Sequence, residues 1–339
     1  MRVFMTGGTG LIGRHLGNRL VERGDEVIIL TRRADAVRRD PAMRRFQFVP
    51  GDPGVVGDWQ ASVDGCDAVV NLVGHNVFAN RWNAEVKRKI RDSRVYGTNH
   101  VVSAITRARK PPRILAQASA VGYYGPHGDE VLTEESPSGA DFMSVICREW
   151  EEATRPAENQ GTRVARVRIG IVLARNEGAL AAMTPLFRLG PGVPIGGGDS
   201  LFKPGSGQQW MSWIHIDDIV GLFLLALDNP EAKGPLNGTS PEPVRNADFA
   251  RTLSKVLWKP YAPWRVFLPF GPPDILLRAV LGDVANVVTK GQRVLPTKAE
   301  SLGYQYRFPN LEGALRDIYT SKDSARSAKS SQTSAAHPH

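Results

Sequence analysis

The eight residues TGGTGLIG, Thr6 to Gly13, constrain this chain more than any other feature. They follow the short apolar run RVFMT. They open LIGRHLGNRLVERG, where Leu11, Ile12, His15, Leu16 and Leu20 recur at helical spacing before Gly24, the expected C-cap. A strand that turns through spaced glycines into a helix is the setting a dinucleotide-binding loop requires. Gly7 allows the tight turn, and Gly10 lets the backbone approach a pyrophosphate beneath the helix N–H groups. Gly13 lets helix and strand pack closely. Gly7, Thr9, Gly10, Leu11, Ile12 and Gly13 are therefore expected cofactor contacts.

The alternation continues. EVIIL, FQFV, AVVNLV, RILAQAS and RVARVRIGIVL read as further strands, and Asn83 to Arg109 reads as a helix. Strand and helix in turn over this length predict an α/β fold, a doubly wound parallel sheet. After about residue 175 the pattern changes. A Gly- and Pro-rich loop leads to SWIHIDDIVGLFLLALDNP, a strand end running into a helix with Asp217 or Asp218 near its N-cap. VRNADFARTLSKVLW predicts a helix with Asn246 as its cap. PYAPWRVFLPFGPPDILLRAVLG is proline-punctuated and then helical, and NLEGALRDIY is amphipathic. The tail from 321 to 339 lacks an apolar run and is expected to be disordered.

The end of the second strand points to one dinucleotide. NAD enzymes usually place Asp or Glu there to bond the ribose 2′-hydroxyl. Here ILTRRA puts Arg32 and Arg33 in that place, and a guanidinium pairs with phosphate, so NADP(H) is expected. Asp52, after the third strand, is either an adenine-edge contact or a turn residue. Arg32 to Arg45 holds six Arg against two Asp within a formal net charge of +9, but no nucleic-acid motif accompanies it, and no nucleic-acid partner is expected.

With 42% hydrophobic and 23% charged residues, 339 residues can build a large core without disulfides or metals. Two cysteines, Cys66 and Cys147, suit a reducing cytoplasm. The N-terminus lacks a signal-peptide pattern, no apolar run reaches 18 residues, and the seven histidines lack metal-site spacing; no membrane and no metal are expected.

TGGTGLIG, SAVGYYG and SWIHIDD together resemble the extended short-chain dehydrogenase/reductase superfamily, of the NAD-dependent epimerase/dehydratase type. VNLVG, RWNAEVKRKIRDSR, DFMSVICREWEEA, QQWMSWIHIDD and GQRVLPTKAESLGYQYRFPNLEGALRDI narrow the likeness to an atypical branch known as epimerase family proteins. The resemblance implies a Rossmann domain over 1–175, to which about 210–230 return, and a smaller α/β substrate domain over 176–320. It adds Leu72, Val73, Gly74, Ser119 and Ile171 to the expected cofactor contacts. The activity implied is NADP(H)-dependent oxidation, reduction or epimerisation at a carbonyl or hydroxyl of a small molecule, by a monomer or homodimer.

In ordinary members a Tyr exchanges a proton with the substrate oxygen. A Lys four residues later, on the same helix face, lowers its pKa. Here Glu151 aligns with the usual trailing Glu. That puts Met143 at the Tyr position, Cys147 at the Lys position and Arg94 where an Asn belongs, with Ser119 as the upstream Ser. Three readings stand. Tyr124, or Tyr123, serves as the acid with Arg94 supplying positive charge. Alternatively, Cys147 is the proton donor, its pKa lowered by Arg94. Or the chain only binds NADP(H), as a sensor or scaffold. Catalytic candidates are thus Ser119, Tyr124, Cys147 and Arg94. Trp82, Gln209 and Trp210 are candidate pocket residues, and a His215–Asp217 dyad is the weaker alternative.

Overall fold

The computed structural model describes residues 1–78, 80–189, 192–195, 207–261 and 289–320. The expected disordered tail, the helix expected within 262–288 and much of the Gly- and Pro-rich loop lie outside these residues.

The first half alternates β1 (Arg2–Thr6), α1 (Leu11–Glu22), β2 (Glu26–Thr31), α2 (Ala34–Arg38), β3 (Gln47–Pro50), β4 (Ala68–Asn71), α3 (Ala84–Arg107) and β5 (Ile114–Ala120). Next come β6 (Val131–Leu132), α4 (Phe142–Glu152), α5 (Arg155–Asn159), β7 (Arg163–Ile169), β8 (Ile171–Ala174) and α6 (Gly178–Leu189). Then follow β9 (Trp210–Met211), β10 (Trp213–His215), α7 (Ile216–Asp228), β11 (Gly234–Gly238), β12 (Val244–Arg245) and α8 (Asn246–Val256). The last described elements are β13 (Arg293–Val294), α9 (Thr297–Ser301) and α10 (Leu311–Thr320).

Seven parallel strands form the central sheet in the order β11-β7-β5-β4-β1-β2-β3. The order reverses between β1 and β4, the place where open α/β sheets leave a crevice at their carboxyl edge. Strand alternation divides the core. Val3, Met5, Ala116, Ala118 and Val167 face Leu16 and Leu20 of α1 and Ile219 and Phe223 of α7. Phe4, Ile28, Leu30, Val69, Leu115 and Val164 face Val101, Val102 and Ile105 of α3. Each such side chain, fully buried, contributes about 1.5–3 kcal/mol.

Four local expectations change. RVARVRIGIVL is two strands, not one. At Gly170 the N–H goes to Gly238 O, but at Ile171 it goes to Ser212 O, so the chain leaves the large sheet and joins β10. A Cβ at Gly170 would sit 2.4 Å from Ser212 O, which is why the crossing needs glycine. The part returning to the first domain also runs past 230, because Gly234–Gly238 is the edge strand. The N-cap of α7 is His215, whose Nδ1 accepts the Asp217 N–H at 3.1 Å, rather than either aspartate. Asn246 is the first helical residue of α8, its Oδ1 accepting from Ile195 N; it is not the cap. Gly24 does follow α1 at φ +91°, and Asn83 caps α3 through Val86 N.

A second core lies between β8, β10, α6, α8 and α10, built from Leu173, Leu180, Trp213, Phe249, Leu253, Leu315 and Ile318. Asp218 ties it to the large sheet: its carboxylate accepts from Arg307 N, Phe308 N and the Tyr304 hydroxyl.

Candidate functional site

Gly7 turns at φ +65°, and Gly10 N–H donates to its carbonyl at 3.0 Å. A Cβ at Gly7 would lie 2.7 Å from Leu72 O, so the loop after β1 and the loop after β4 run in contact. A Cβ at Gly13 would lie 2.4 Å from Gly7 O. At Gly10, among the described residues, only Gly7 O, at 3.2 Å, lies within reach of a Cβ. The start of α1 has no side-chain cap and no acidic residue in its first turn, so its leading N–H groups and dipole suit an anion. These residues fit a dinucleotide pyrophosphate. Thr9, Leu11 and Ile12 are partly exposed along the same turn.

Arg32 and Arg33 close β2 and stand exposed, Arg32 with 76% of its side chain accessible. Arg32 lies 3.7 Å from Asp52, whose Oδ1 also accepts Gly54 N–H. Asp52 is thus both turn residue and partner to Arg32.

The loop Leu72–Val73–Gly74 leaves β4 and is gripped at the next residue. His75 N–H donates to Ser93 Oγ at 2.9 Å, and His75 O accepts from Arg94 Nη1 at 3.1 Å. Neighbouring residues of α3 therefore fix both faces of one peptide position. Arg94 stacks over Trp150 at 5.1 Å, and burial lowers its pKa.

The other three catalytic candidates are enclosed. Ser119 is 2% exposed, and its hydroxyl donates to Glu151 Oε1 at 2.7 Å. Glu151 is itself held by Arg168, Nε to Oε1 and Nη2 to Oε2, both at 2.9 Å. Arg168 Nη1 donates to the Tyr124 hydroxyl at 2.9 Å, which donates to Asn237 Oδ1 at 2.7 Å. Tyr124 is wholly buried, and burial pushes its phenol up to about 12. Expected at the cleft, Ser119 and Tyr124 are here internal, their hydroxyls spent on a buried ion pair. Cys147 is likewise 0% exposed; burial outweighs the nearby Arg94 and raises its thiol to about 12, the reverse of the expected lowering. Met143 lies beside Gly122. Tyr123 is half-buried, its ring 3.5 Å from the Arg168 guanidinium carbon.

The weaker candidates are placed too. His215 caps α7, stacks on Phe308 at 4.0 Å and has its Nε2 3.5 Å from Asp317, while Asp217 pairs with Arg307. No His215–Asp217 side-chain dyad forms. Trp82 Nε1 donates to Val77 O, and Gln209 Nε2 to Ile195 O. Trp210 sits between Arg245 and Arg293 and donates to Asp129. Ile171, in β8, bonds Ser212 O and lies at the bend.

Sequence reasoning missed Arg168, Asn237 and a second polar seam: Thr6 Oγ1 to Asn71 Oδ1, and Asn71 Nδ2 to both Thr98 and Gln117. A signal existed. Arg163, Arg166 and Arg168 interrupt the apolar residues of an interior strand, and charges there need partners.

The sheet, the switch point and the open glycine cradle define a dinucleotide-binding α/β protein of short-chain dehydrogenase/reductase architecture. The chain belongs to the NAD dependent epimerase/dehydratase family, whose model matches residues 3–237; residues 272–318 match the model described as Domain of unknown function (DUF1731). It is 42% identical to the Arabidopsis thaliana epimerase family protein SDR39U1 homolog, chloroplastic, over 94% of this chain and 86% of that one. It is 37% identical to the Homo sapiens epimerase family protein SDR39U1, over 94% and 99%. A crystal structure of the human protein (isoform 2) with NADPH superposes with a TM-score of 0.80 at 36% identity, over 94% of this chain and 99% of that one. No helix among the described residues is long and apolar enough to cross a membrane.

Proposed function

We propose that the chain binds NADP(H) at the carboxyl edge of β1, β2 and β4 and acts as an oxidoreductase or epimerase on a carbonyl or hydroxyl of a small molecule. The observation that carries this is the open glycine cradle with two exposed arginines at the end of β2, where a ribose-binding carboxylate would otherwise stand. The NADPH in the human relative's structure supports the same choice. When bound, the cofactor supplies or accepts a hydride.

The chain's own part is to orient and to supply charge. Gly7, Gly10, Gly13 and the start of α1 hold the pyrophosphate, and Arg32 and Arg33 hold the 2′-phosphate. Leu72, Val73 and Gly74 form the wall beside the cradle, fixed from behind by Ser93 and Arg94. Because Ser119, Tyr124 and Cys147 are enclosed, proton exchange falls to the half-buried Tyr123, to solvent or to the substrate itself, and Arg94 is the positive group at the cleft. The two buried, unbridged cysteines suit a reducing compartment such as the cytoplasm.

One observation favours a second reading. Ser119, Tyr124 and Cys147 are sealed inside, and of the candidate proton donors only Tyr123 is partly exposed, which suits a protein that binds NADP(H) without turnover. Incubation with NADPH deuterated at the nicotinamide C4 and a metabolite extract separates the two. A labelled small molecule, absent with Gly10→Trp, supports turnover. No label from a sample that binds NADPH supports the sensor.

A further inference from the structure

We infer that Arg94 is the binding group for a carboxylate on the substrate, held side-on by its Nε and Nη2. This rests on the proposed cleft, and it names the substrate class as anionic: a hydroxy or oxo acid, or another small molecule with a carboxylate near the reacting carbon.

The argument begins with what the guanidinium lacks. It is mostly buried, yet only Nη1 has protein partners, the carbonyls of His75 at 3.1 Å and Ile90 at 3.0 Å. Among the described residues, Nε and Nη2 have no hydrogen-bond partner, and no carboxylate forms an ion pair with Arg94. The three arginines of β7 are provided for. Arg168 meets Glu151 side-on. Arg166 reaches Glu158 and Thr154. Arg163 spends its fork on the carbonyls of Ala226, Ala232 and Leu227. Neither nitrogen is among the atoms sealed without a partner, so both reach solvent, where a ligand's oxygens can take the place of water.

The surroundings keep both nitrogens aimed and open. Trp150 backs the guanidinium, and its own Nε1 is fixed on Thr98 Oγ1 at 2.9 Å. On the cleft side, Gly74 leaves room: a Cβ there would lie 3.2 Å from Arg94 Cζ and 3.3 Å from Nη2. The Nε–Nη2 edge is the one that matches two carboxylate oxygens. A single cation beside a neutral Cys147 balances one negative charge, which favours a carboxylate over a phosphate dianion. Burial lowers the Arg94 pKa, and a bound anion would offset that cost.

The test uses full-length protein labelled with 5-fluorotryptophan, the Trp150 resonance assigned with Trp150→Phe. Acetate is titrated into free and NADPH-bound samples at constant ionic strength, with chloride and inorganic phosphate as the other arms. A saturable acetate shift at Trp150 is expected, weakened by about tenfold or more in Arg94→Gln and partly restored in Arg94→Lys. Gly74→Ala keeps Arg94 but crowds it, and should also weaken acetate; it serves if Arg94→Gln does not fold. The inference is overturned by no acetate shift, by a shift that survives Arg94→Gln, or by phosphate binding more tightly than acetate. Failure of the unmodified protein to bind NADPH would instead strike the proposed function and leave the acetate result standing.

Discussion

Glu151 and Arg168 meet side-on inside the protein, with both nitrogen–oxygen distances at 2.9 Å, and the pair carries Ser119 on one side and Tyr124 on the other. A hydroxyl usually expected to touch substrate is here part of the packing between α4, β5 and β7.

Removing one member of that pair should be severe. Glu151→Ala leaves the Arg168 charge buried and alone, and should cost about 3–5 kcal/mol of stability. Urea unfolding of the single variants beside Glu151→Leu/Arg168→Met measures it. The double variant should recover much of the loss; a cost in Glu151→Ala no larger than an ordinary surface change would contradict the reading.

Tyr124→Phe deletes one hydroxyl and leaves Asn237 Oδ1 without its donor. A loss of about 1–3 kcal/mol is expected, with NADPH affinity unchanged. If the variant were as stable as the parent yet inactive in deuteride transfer, Tyr124 would have to reach the substrate after all.

Arg32 and Arg33 make a different kind of forecast. NADPH should bind more tightly than NADH, and Arg32→Ala should narrow the gap by weakening NADPH alone. Calorimetric titration with both nucleotides reads it directly. Equal affinities in the unmodified protein would remove the basis for naming NADP(H).

Cys147 links pH to stability. Its folded thiol titrates near 12, above the ordinary value of 9.0, because burial disfavours the thiolate. The stabilisation is therefore fully present below about 9 and is lost as pH rises towards 12. Cys147→Ala should flatten that alkaline decline in unfolding free energy and leave cofactor binding nearly intact. In the native parent the thiol should resist alkylation at pH 8, and rapid labelling there would contradict its enclosure.

The cofactor half of the site was readable because its signals are local. Gly7, Gly10 and Gly13 act on a turn and a helix start that adjoin them in sequence, and Arg32 and Arg33 simply end a strand. The catalytic half was not readable, because its outcome depends on residues far apart. Whether Ser119 faces the cleft or the interior depends on Glu151, and Glu151 depends on Arg168. Tyr124 is settled by Asn237, more than a hundred residues away. The bend at Gly170 was hidden for the same reason: an apolar run of strand formers does not reveal that its hydrogen-bond partners change from one sheet to another.

The late arrival of β11 has a consequence for how the chain is made. The sheet's outer edge beside β7 is sealed by Gly234–Gly238, and over β5 and β7 the face shared with α1 is covered by α7. During synthesis, a nascent chain that has emerged as far as β7 presents an unpaired parallel edge and a bare apolar face until some seventy further residues follow. At ordinary elongation rates that interval lasts about 4–14 seconds. The polypeptide is thus most adhesive midway through translation, and a stop codon after the nucleotide-binding half would yield a fragment prone to aggregate rather than a smaller working domain.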